Sequence, residues 1–336
     1  MTEETLTDLT VLVMTTTTMT KTNSCCAECG EEGGVSLKVC KACMHIRYCN
    51  AICQRNHWSN HKKDCKRRAA ELRDEALFKA PPAKEDCPIC FLPMPLIAFS
   101  CASLPDATIS SVPIFDFAMA HDDLDDKTME QYYTCCGKSI CKGCVYSFIE
   151  SGNIAKCPFC NSERGGLTEE ERFEEVMKRV AVNDAGAIYL LGNKYYHGAG
   201  GLRQDHAKAI DLFNRSANLG FSKAHSRLGY LYHDAGDLKR AKSHYEAAAM
   251  DGHERARCII GTNEAKSENV ERAIKHWAIA ASAGCFCAMQ KLRIFFESGH
   301  VSRESIDSIL AAYNKSCAEM RSKARDMYIK IVTETG

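Results

Sequence analysis

The sequence has no excess of charge of either sign, since its 336 residues carry 43 Lys and Arg against 43 Asp and Glu. A balanced charge argues against wholesale nucleic-acid binding, which needs a positive surface. No apolar stretch approaches the ~20 residues that span a membrane. The N-terminal residues 1–24 carry acidic residues where a secretory signal needs positive ones, and their apolar run is too short for an export core. We therefore expect no export signal and no membrane span.

Motifs of nucleophilic catalysis and phosphate binding are missing as well. The sequence contains no G-x-S-x-G and no phosphate-binding glycine loop. Every cysteine with a histidine nearby is better explained as a metal ligand, as described below. We name no catalytic residue, and whether the chain is an enzyme stays uncertain, with a non-enzyme favoured.

Cysteine, in contrast, is abundant, with 21 residues. Ten of them form five C-x2-C pairs, some with histidines nearby, which is the spacing of zinc ligands and not of a disulfide framework. Free thiols on this scale predict a reducing, intracellular compartment, either cytoplasm or nucleus.

Changes of composition predict a multidomain chain with two small zinc-stabilised modules followed by an all-α solenoid. A Pro-rich and acidic stretch inside the second module predicts a long exposed loop, and Pro81-Pro82 closes the helical spacer. The expected segments are a disordered tail at 1–24, a finger at 25–66, a helical spacer at 67–86, a second finger at 87–162 with a loop at 91–134, and a repeat domain at 168–336.

The first cysteine cluster supplies eight ligands, the number that two tetrahedral zinc ions require. The candidates are Cys26, Cys29, Cys40, Cys43, Cys49, Cys53, His61 and Cys65. From Cys53 to Cys65 the Cys and His residues recur every four positions, so one helix can serve both metals. The C-x2-C spacing favours Cys26 over its neighbour Cys25 as the first ligand.

The run from Tyr48 to Cys65 resembles the second half of a MYND finger position for position. The resemblance implies that Cys26, Cys29, Cys49 and Cys53 bind one zinc ion and that Cys40, Cys43, His61 and Cys65 bind the other. It leaves His57 outside the ligand set.

MYND fingers typically bind short proline-rich peptides, and the resemblance places Gln54 and the exposed face of Trp58 at that surface. A proline-rich ligand loses little entropy when it docks on an aromatic side chain. The alternative is that Trp58 only packs the small core beside the zinc ions. The basic residues at 62–68 are expected to form a solvated helix face, with DNA binding as the weaker interpretation.

The second cluster again gives eight thiols: Cys87, Cys90, Cys135, Cys136, Cys141, Cys144, Cys157 and Cys160. Two more zinc ions are implied, which makes four in the chain. The order of the pairs resembles a RING finger. It departs from that pattern at Lys138, which stands where RING fingers usually have His and which cannot bind zinc. Cys135 and Cys136 can supply the missing ligand, and His121 and Cys101 remain substitutes.

RING fingers often recruit a ubiquitin-conjugating enzyme through an apolar residue in the first pair and a proline in the last. The corresponding residues here are Ile89 and Pro158. However, Asn161 stands where active ligases often have a basic residue, and any small zinc core needs apolar residues between its ligands.

The third block repeats itself. Alanines at 209, 241 and 273 are followed in register by an aromatic residue, a second alanine and a glycine, and a related pattern marks a preceding helix in each unit. Small residues let the paired helices approach closely, aromatic residues fill the gaps between repeats, and the glycines can end helices. These columns resemble Sel1-like repeats over about 184–298, which implies a solenoid that binds protein partners.

The combined pattern predicts an intracellular adaptor or scaffold that binds proteins through the finger and the repeats. The alternative is a RING-type ubiquitin ligase that uses residues 87–160 to recruit a conjugating enzyme.

Overall fold

The computed structural model describes residues 25–30, 37–94 and 129–335. The predicted tail and the two substitute ligands Cys101 and His121 lie outside these ranges. The chain divides into two compact units, Met1–Ala76 and Leu77–Gly336.

The first unit contains a small two-stranded sheet, one short helix and all but the last two residues of a second helix. Strand β1 (Lys38–Val39) pairs antiparallel with β2 (Arg47–Tyr48), and helices α1 (Ala51–Asn56) and α2 (Trp58–Phe78) follow. The side chain of Asn50 caps α1 by accepting hydrogen bonds from two backbone amides. Four buried cysteines and Tyr48 form the core, so there is little apolar material to stabilise this unit apart from its candidate ligands.

Helix α2 corrects the prediction of a helical spacer at 67–86, because it begins in the finger and ends at Phe78. No capping residue or proline interrupts the sequence at 66–67. Good helix formers and the pairs Arg67–Glu71 and Arg68–Glu75 carry the helix onward. Residues 79–86 are not helical.

The second finger is built on a hairpin and one helix. Strands β3 (Glu130–Tyr133) and β4 (Lys138–Cys141) pair antiparallel, and helix α3 (Lys142–Glu150) begins at the end of β4. The expected loop at 91–134 therefore does not extend to 134, because its last residues pair with β4. The tight turn is closed by Gly137, whose φ of 68° suits glycine.

Helix α4 (Glu169–Ala181) opens with a capping box between Thr168 and Glu171. Four helix pairs follow, and the first three have 13 residues in every helix. They are α5 (Ala185–His197) with α6 (His206–Asn218), α7 (Ser222–Asp234) with α8 (Leu238–Met250), α9 (Glu254–Lys266) with α10 (Val270–Ser282), and α11 (Phe286–Glu297) with α12 (Arg303–Met320). Helix α13 (Lys323–Thr335) ends the described chain. None of the helices in the described ranges is both long and apolar enough to cross a membrane.

Glycine and aromatic residues fix the close approach inside each pair. A methyl group added at Gly192, Gly229 or Gly261 would lie 2.7 Å from the ring of Phe213, Tyr245 or Trp277 respectively. The aromatic residues thus pack within a repeat, although Trp277 also contacts Phe295 of the next pair, with 4.9 Å between ring centres. The predicted helix-ending glycines at 220, 252 and 284 have φ values of 85°, 89° and 92°. The solenoid of helix pairs is confirmed.

Candidate metal centres

The first finger brings its eight predicted ligands into two clusters of four. Cys26, Cys29, Cys49 and Cys53 form one cluster, and Cys40, Cys43, His61 and Cys65 form the other. This is the interleaved pairing that the MYND resemblance implies. The sheet supplies the loops that carry the early ligands, while α1 and α2 supply the late ones.

Distances between donor atoms within these clusters suit one tetrahedral metal ion each. The Sγ–Sγ distance is 3.6 Å for Cys29–Cys49 and 3.7 Å for Cys40–Cys65, and Cys43 Sγ lies 3.4 Å from His61 Nε2. Two sulfurs on a tetrahedral zinc ion, at about 2.3 Å each, lie roughly 3.8 Å apart. The donor set therefore fits zinc.

Residues next to the ligands take supporting positions. His57 belongs to neither cluster; its Nδ1 lies 3.0 Å from the hydroxyl of Tyr48. Burial raises the pKa of Tyr48 to about 12, so the phenol keeps its proton and can donate it to His57. Cys25 is half-buried and lies outside both clusters.

The two predicted peptide-binding residues differ in their surroundings. Gln54 is half-buried, and its side-chain amide donates to Cys40 Sγ at 3.8 Å. Trp58 packs edge-on against His61 and still exposes 40% of its surface. The two interpretations of Trp58, core packing and an exposed face, thus apply to the same side chain.

The second finger forms two further clusters with the same interleaving, a pairing that the sequence left open. Cys87 and Cys90 meet Cys141 and Cys144, whereas Cys135 and Cys136 meet Cys157 and Cys160. The Sγ–Sγ distances are 3.9 Å for Cys87–Cys144, 3.8 Å for Cys90–Cys141, 3.9 Å for Cys136–Cys157 and 3.5 Å for Cys135–Cys160. All four clusters offer four soft or borderline donors, the arrangement of a structural zinc site.

The hairpin turn explains how adjacent cysteines serve one cluster. Cys135 and Cys136 lie in the turn between β3 and β4, where the backbone reverses and both sulfurs reach the closing pair. Lys138, the residue that departs from the RING pattern, begins β4 and places its ammonium group 5.6 Å from the centre of the Phe159 ring. The lysine therefore has a cation–π role beside the cluster.

Some thiols in the clusters ionise easily, which favours metal binding. Hydrogen bonds from the backbone amides of Cys29 and Cys49 lower the pKa of Cys26 to about 6. A hydrogen bond from the Cys144 side chain, supported by Arg325, lowers the pKa of Cys141 to about 4. Burial raises the pKa of Cys65 to about 12, so this thiol needs a metal ion to release its proton.

Arg325 on α13 is a supporting residue that the sequence did not reveal. Its side chain is 1% exposed, and it donates to the carbonyl oxygens of Leu92, Pro93 and Met320 at 2.7–3.2 Å and to Cys90 Sγ at 3.5 Å. Its backbone lies so close to α3 that a methyl group on Gly143 would come within 2.7 Å of the Arg325 amide nitrogen. A guanidinium group fixed on a zinc loop neutralises the charge of the thiolates. Only the long-range packing of α13 on α3 identifies this role.

Helix α4 supports the other cluster of the second finger. Arg179 donates to the carbonyl oxygens of Thr134 and Cys135 at 3.1 and 3.2 Å, which holds the turn that carries Cys135 and Cys136. The guanidinium group of Arg164 pairs with Glu175 at 3.0 Å. The hairpin is therefore joined to the helical part of the same unit.

The family model of the MYND finger matches residues 26–65. The chain therefore contains a zinc-binding MYND finger, in agreement with the resemblance seen in its sequence.

Segments of this chain are also similar to known proteins outside the MYND family. A Sel1-like repeat-containing protein of Acanthamoeba polyphaga mimivirus is 28% identical over 138 residues, which are 40% of this chain and 26% of that protein. An ERAD-associated E3 ubiquitin-protein ligase component of Arabidopsis thaliana is 29% identical over 113 residues, which are 32% of this chain and 18% of that protein. The chain thus spans about a quarter or less of the length of these two relatives. A crystal structure of a Sel1 repeat protein from Oxalobacter formigenes is 24% identical, with a TM-score of 0.34 over 37% of this chain and 98% of the other.

Proposed function

We propose that this protein is an adaptor that holds other proteins together through its MYND finger and its helical repeats, with zinc in a purely structural role. The observation that carries the proposal is the position of Trp58, which packs edge-on against the predicted ligand His61 and exposes 40% of its surface. A rigid aromatic face beside a metal-fixed core suits an extended, proline-rich peptide. MYND fingers and Sel1-like repeats are both protein-interaction modules.

The proposed metal content is four zinc ions, one for each four-ligand cluster. Four protein donors fill a tetrahedral zinc ion and leave no open position for a reacting water molecule, as expected of zinc that stabilises a fold. We also place the protein inside the cell, in the cytoplasm or the nucleus. The described cysteines are all free thiols, and so many thiolate ligands need a reducing compartment.

Peptide binding by the first finger is tested with a set of fluorescent proline-rich peptides and the full chain. We expect Trp58→Ala to weaken binding by about tenfold or more, as for a central aromatic contact in an interface. Ile52→Ala is the matched control, because Ile52 is 59% exposed on the neighbouring helix α1. The zinc content of both variants should equal that of the wild type. Equal affinities of Trp58→Ala and wild type would contradict the proposal.

Ubiquitin ligation is the second candidate function, favoured by the exposure of Ile89 (36%) and Phe91 (75%) on the first zinc loop of the second finger. One relative is named as a component of an E3 ubiquitin-protein ligase, a property of that protein that we transfer here only as a hypothesis. The test is autoubiquitination with a panel of conjugating enzymes. Formation of ubiquitin chains should be lost in Ile89→Ala if the protein is a ligase. It should be retained in Ile154→Ala, because Ile154 is 71% exposed and lies outside the zinc loops. This pair of results would establish the ligase. If no ubiquitin chains form with any conjugating enzyme, the adaptor remains the proposed function.

A further inference from the structure

The last two residues of α2 and the segment that follows them make specific contacts with the third helix pair, far away in sequence. Residues 77–84 combine a buried leucine, an aromatic ring, two prolines and a lysine, and each kind of group meets a matching surface on α8, α9, α10 or α12. These contacts have the composition of a peptide interface, with an apolar centre and charged groups at its border.

Leu77 is the apolar centre. Its side chain is 1% exposed and packs in one cluster with Tyr245, Ala249 and Ile260. The Leu77 carbonyl oxygen, which lies in the last turn of α2, accepts a hydrogen bond of 2.6 Å from Arg257 on α9. The same guanidinium group donates to the carbonyl oxygen of Ala249 at 2.6 Å, and Arg257 is only 2% exposed. A buried cation thus caps a helix that ends on this surface.

Phe78 lies among positive and imidazole groups of α10. Its ring centre is 4.6 Å from the ring of His276 and 5.1 Å from the guanidinium carbon of Arg272. His276 is fully buried, and among the described residues neither of its ring nitrogens has a hydrogen-bond partner. The histidine therefore contributes a flat face to an aromatic side chain, and the arginine adds a cation–π contact.

The proline and lysine positions extend the contact along the solenoid. Pro82 approaches Gly252, where an added methyl group would lie 3.5 Å from the proline ring. The ammonium group of Lys84 lies 3.2 Å from the carboxylate of Glu254 and 2.8 Å from the carbonyl oxygen of Ala283. Glu254 is 3% exposed, so its charge is compensated chiefly by this lysine.

Arg257 distinguishes this surface from the other repeats. The residue after the first-helix alanine is Ile188 in the first pair, His225 in the second and Arg257 in the third. The residue before the aromatic position is Leu212 in the first pair and a histidine, His244 or His276, in the second and third pairs. Ile188 and Leu212 belong to an apolar cluster with residues of α4. The third pair replaces these apolar residues by the two that contact Leu77 and Phe78.

We propose that the surface formed by Glu254, Arg257, Arg272 and His276 is a peptide-binding site, which residues 77–84 occupy in cis. Its ligand is a helix that ends in Leu-Phe and is followed by Pro-Pro and a lysine two residues later. Protein partners that carry this chemistry compete with the internal segment. This inference rests on the proposed adaptor function and names one of its recruitment sites.

Covalent attachment gives the internal segment a large advantage. A tethered ligand faces its site at an effective concentration in the millimolar range, so a free peptide of equal intrinsic affinity is excluded at micromolar concentration. Weakening the internal segment should therefore open the site to a free peptide.

The test uses a fluorescent peptide with the sequence of residues 68–86 and the full chain. We expect the triple variant Leu77→Ser, Phe78→Ala, Lys84→Ala to bind the peptide about tenfold or more tightly than the wild type. A peptide with Ala in place of Phe78 should lose this binding. Lys79→Ala is the matched control, because Lys79 is exposed within the same segment and should leave the site closed.

Lys84→Ala alone is the second variant, in case the triple variant loses helix content in circular dichroism. It removes one ion pair at the border and should still raise the affinity for the free peptide above that of the wild type. Peptide affinity equal to that of the wild type in a folded variant overturns the proposal. Proline-rich peptide binding through Trp58, measured on the same proteins, separates failure of this site from failure of the adaptor function.

Discussion

The two fingers have eight candidate metal ligands each, grouped with the same interleaving, but they are stabilised in different ways. The sulfurs of the first finger have partners from its own short segment, such as Asn50 and Gln54. The second finger is held by Arg179 of α4 and Arg325 of α13, both of which belong to the helical part of the same compact unit. An interleaved ligand set can thus support an almost self-sufficient module, or it can become part of a larger core. The predictions below test this contrast, from the largest expected effect to the smallest.

Removal of zinc should have the largest effect and should separate the two fingers. Structural zinc contributes roughly 10–16 kcal/mol per site in small peptides, and the first finger has little other core. We expect hydrogen exchange at 37–65 to become as fast as in an unfolded chain on chelation. In the second finger, exchange should rise at 87–94 and also in α13, while α5 to α10 stay protected. Unchanged protection of α13 would contradict the role assigned to Arg325.

Loss of one ligand should reduce the metal content in either finger. Cys65→Ser and Cys90→Ser each remove one donor from a four-ligand cluster, so native mass spectrometry should find at least one zinc ion fewer than in the wild type. Cys25→Ser is the matched control, because this half-buried thiol belongs to no cluster among the described residues. A loss of zinc in the control would show that Cys25 is a ligand.

Arg325→Met should destabilise the second unit and leave the first finger unchanged. The substitution deprives the carbonyl oxygens of Leu92, Pro93 and Met320 of their donor, at a cost of about 3 kcal/mol in the free energy of unfolding. Arg321→Met is the control, because the Arg321 side chain is 57% exposed and its pair with Asp326 lies at the surface. If the two variants give equal chemical denaturation curves, the second finger does not depend on Arg325, and the contrast between the two fingers is wrong.

Acid sensitivity of the repeats should depend in part on His276, which with His253 is one of two buried histidines of the third pair whose pKa is lowered. Burial lowers the pKa of His276 to about 4 from its ordinary 6.5, so the unfolded chain takes up a proton first as the pH falls. Stability is then lost between pH 6.5 and pH 4. His276→Phe keeps a ring on Phe78 and sacrifices no hydrogen bond, so we expect it to reduce this loss by about 1–2 kcal/mol. The measurement is urea unfolding of α-helix at pH 7 and pH 5, and parallel changes in variant and wild type would contradict the assignment.

Lys138→Ala should have the smallest effect. The cluster beside it already has four thiols, so the zinc content should equal that of the wild type, and loss of the contact with Phe159 should cost about 0.5 kcal/mol. Cys136→Ser in the preceding turn is the comparison and should lose a zinc ion. A lower zinc content in Lys138→Ala would mean that the all-cysteine cluster is incomplete.

Ligand identity could be predicted from the sequence because coordination chemistry acts through residue type and local spacing. Cys40-x2-Cys43 or His61-x3-Cys65 can meet one metal ion in only a few backbone geometries, whatever the rest of the chain does. The repeats were readable for a similar reason, since an aromatic residue recurs every 32 positions at Phe213, Tyr245 and Trp277 in the first three pairs. The end of the loop at 134 and the spacer at 67–86 were wrong in detail, because strand pairing and helix continuation depend on neighbours that composition does not reveal.

The sequence by itself determined the two finger modules, the solenoid and the residues able to bind metal, all of which follow from short-range spacing. Only the tertiary structure decided how the second finger pairs its cysteines, that Arg325 serves it from more than 200 residues away, and that residues 77–84 lie on the third helix pair. These features are contacts between distant segments, whose partners are chosen by packing and by the need to satisfy buried charges. The first finger keeps its ligands within one short segment, and for that reason it was the most predictable part of the molecule.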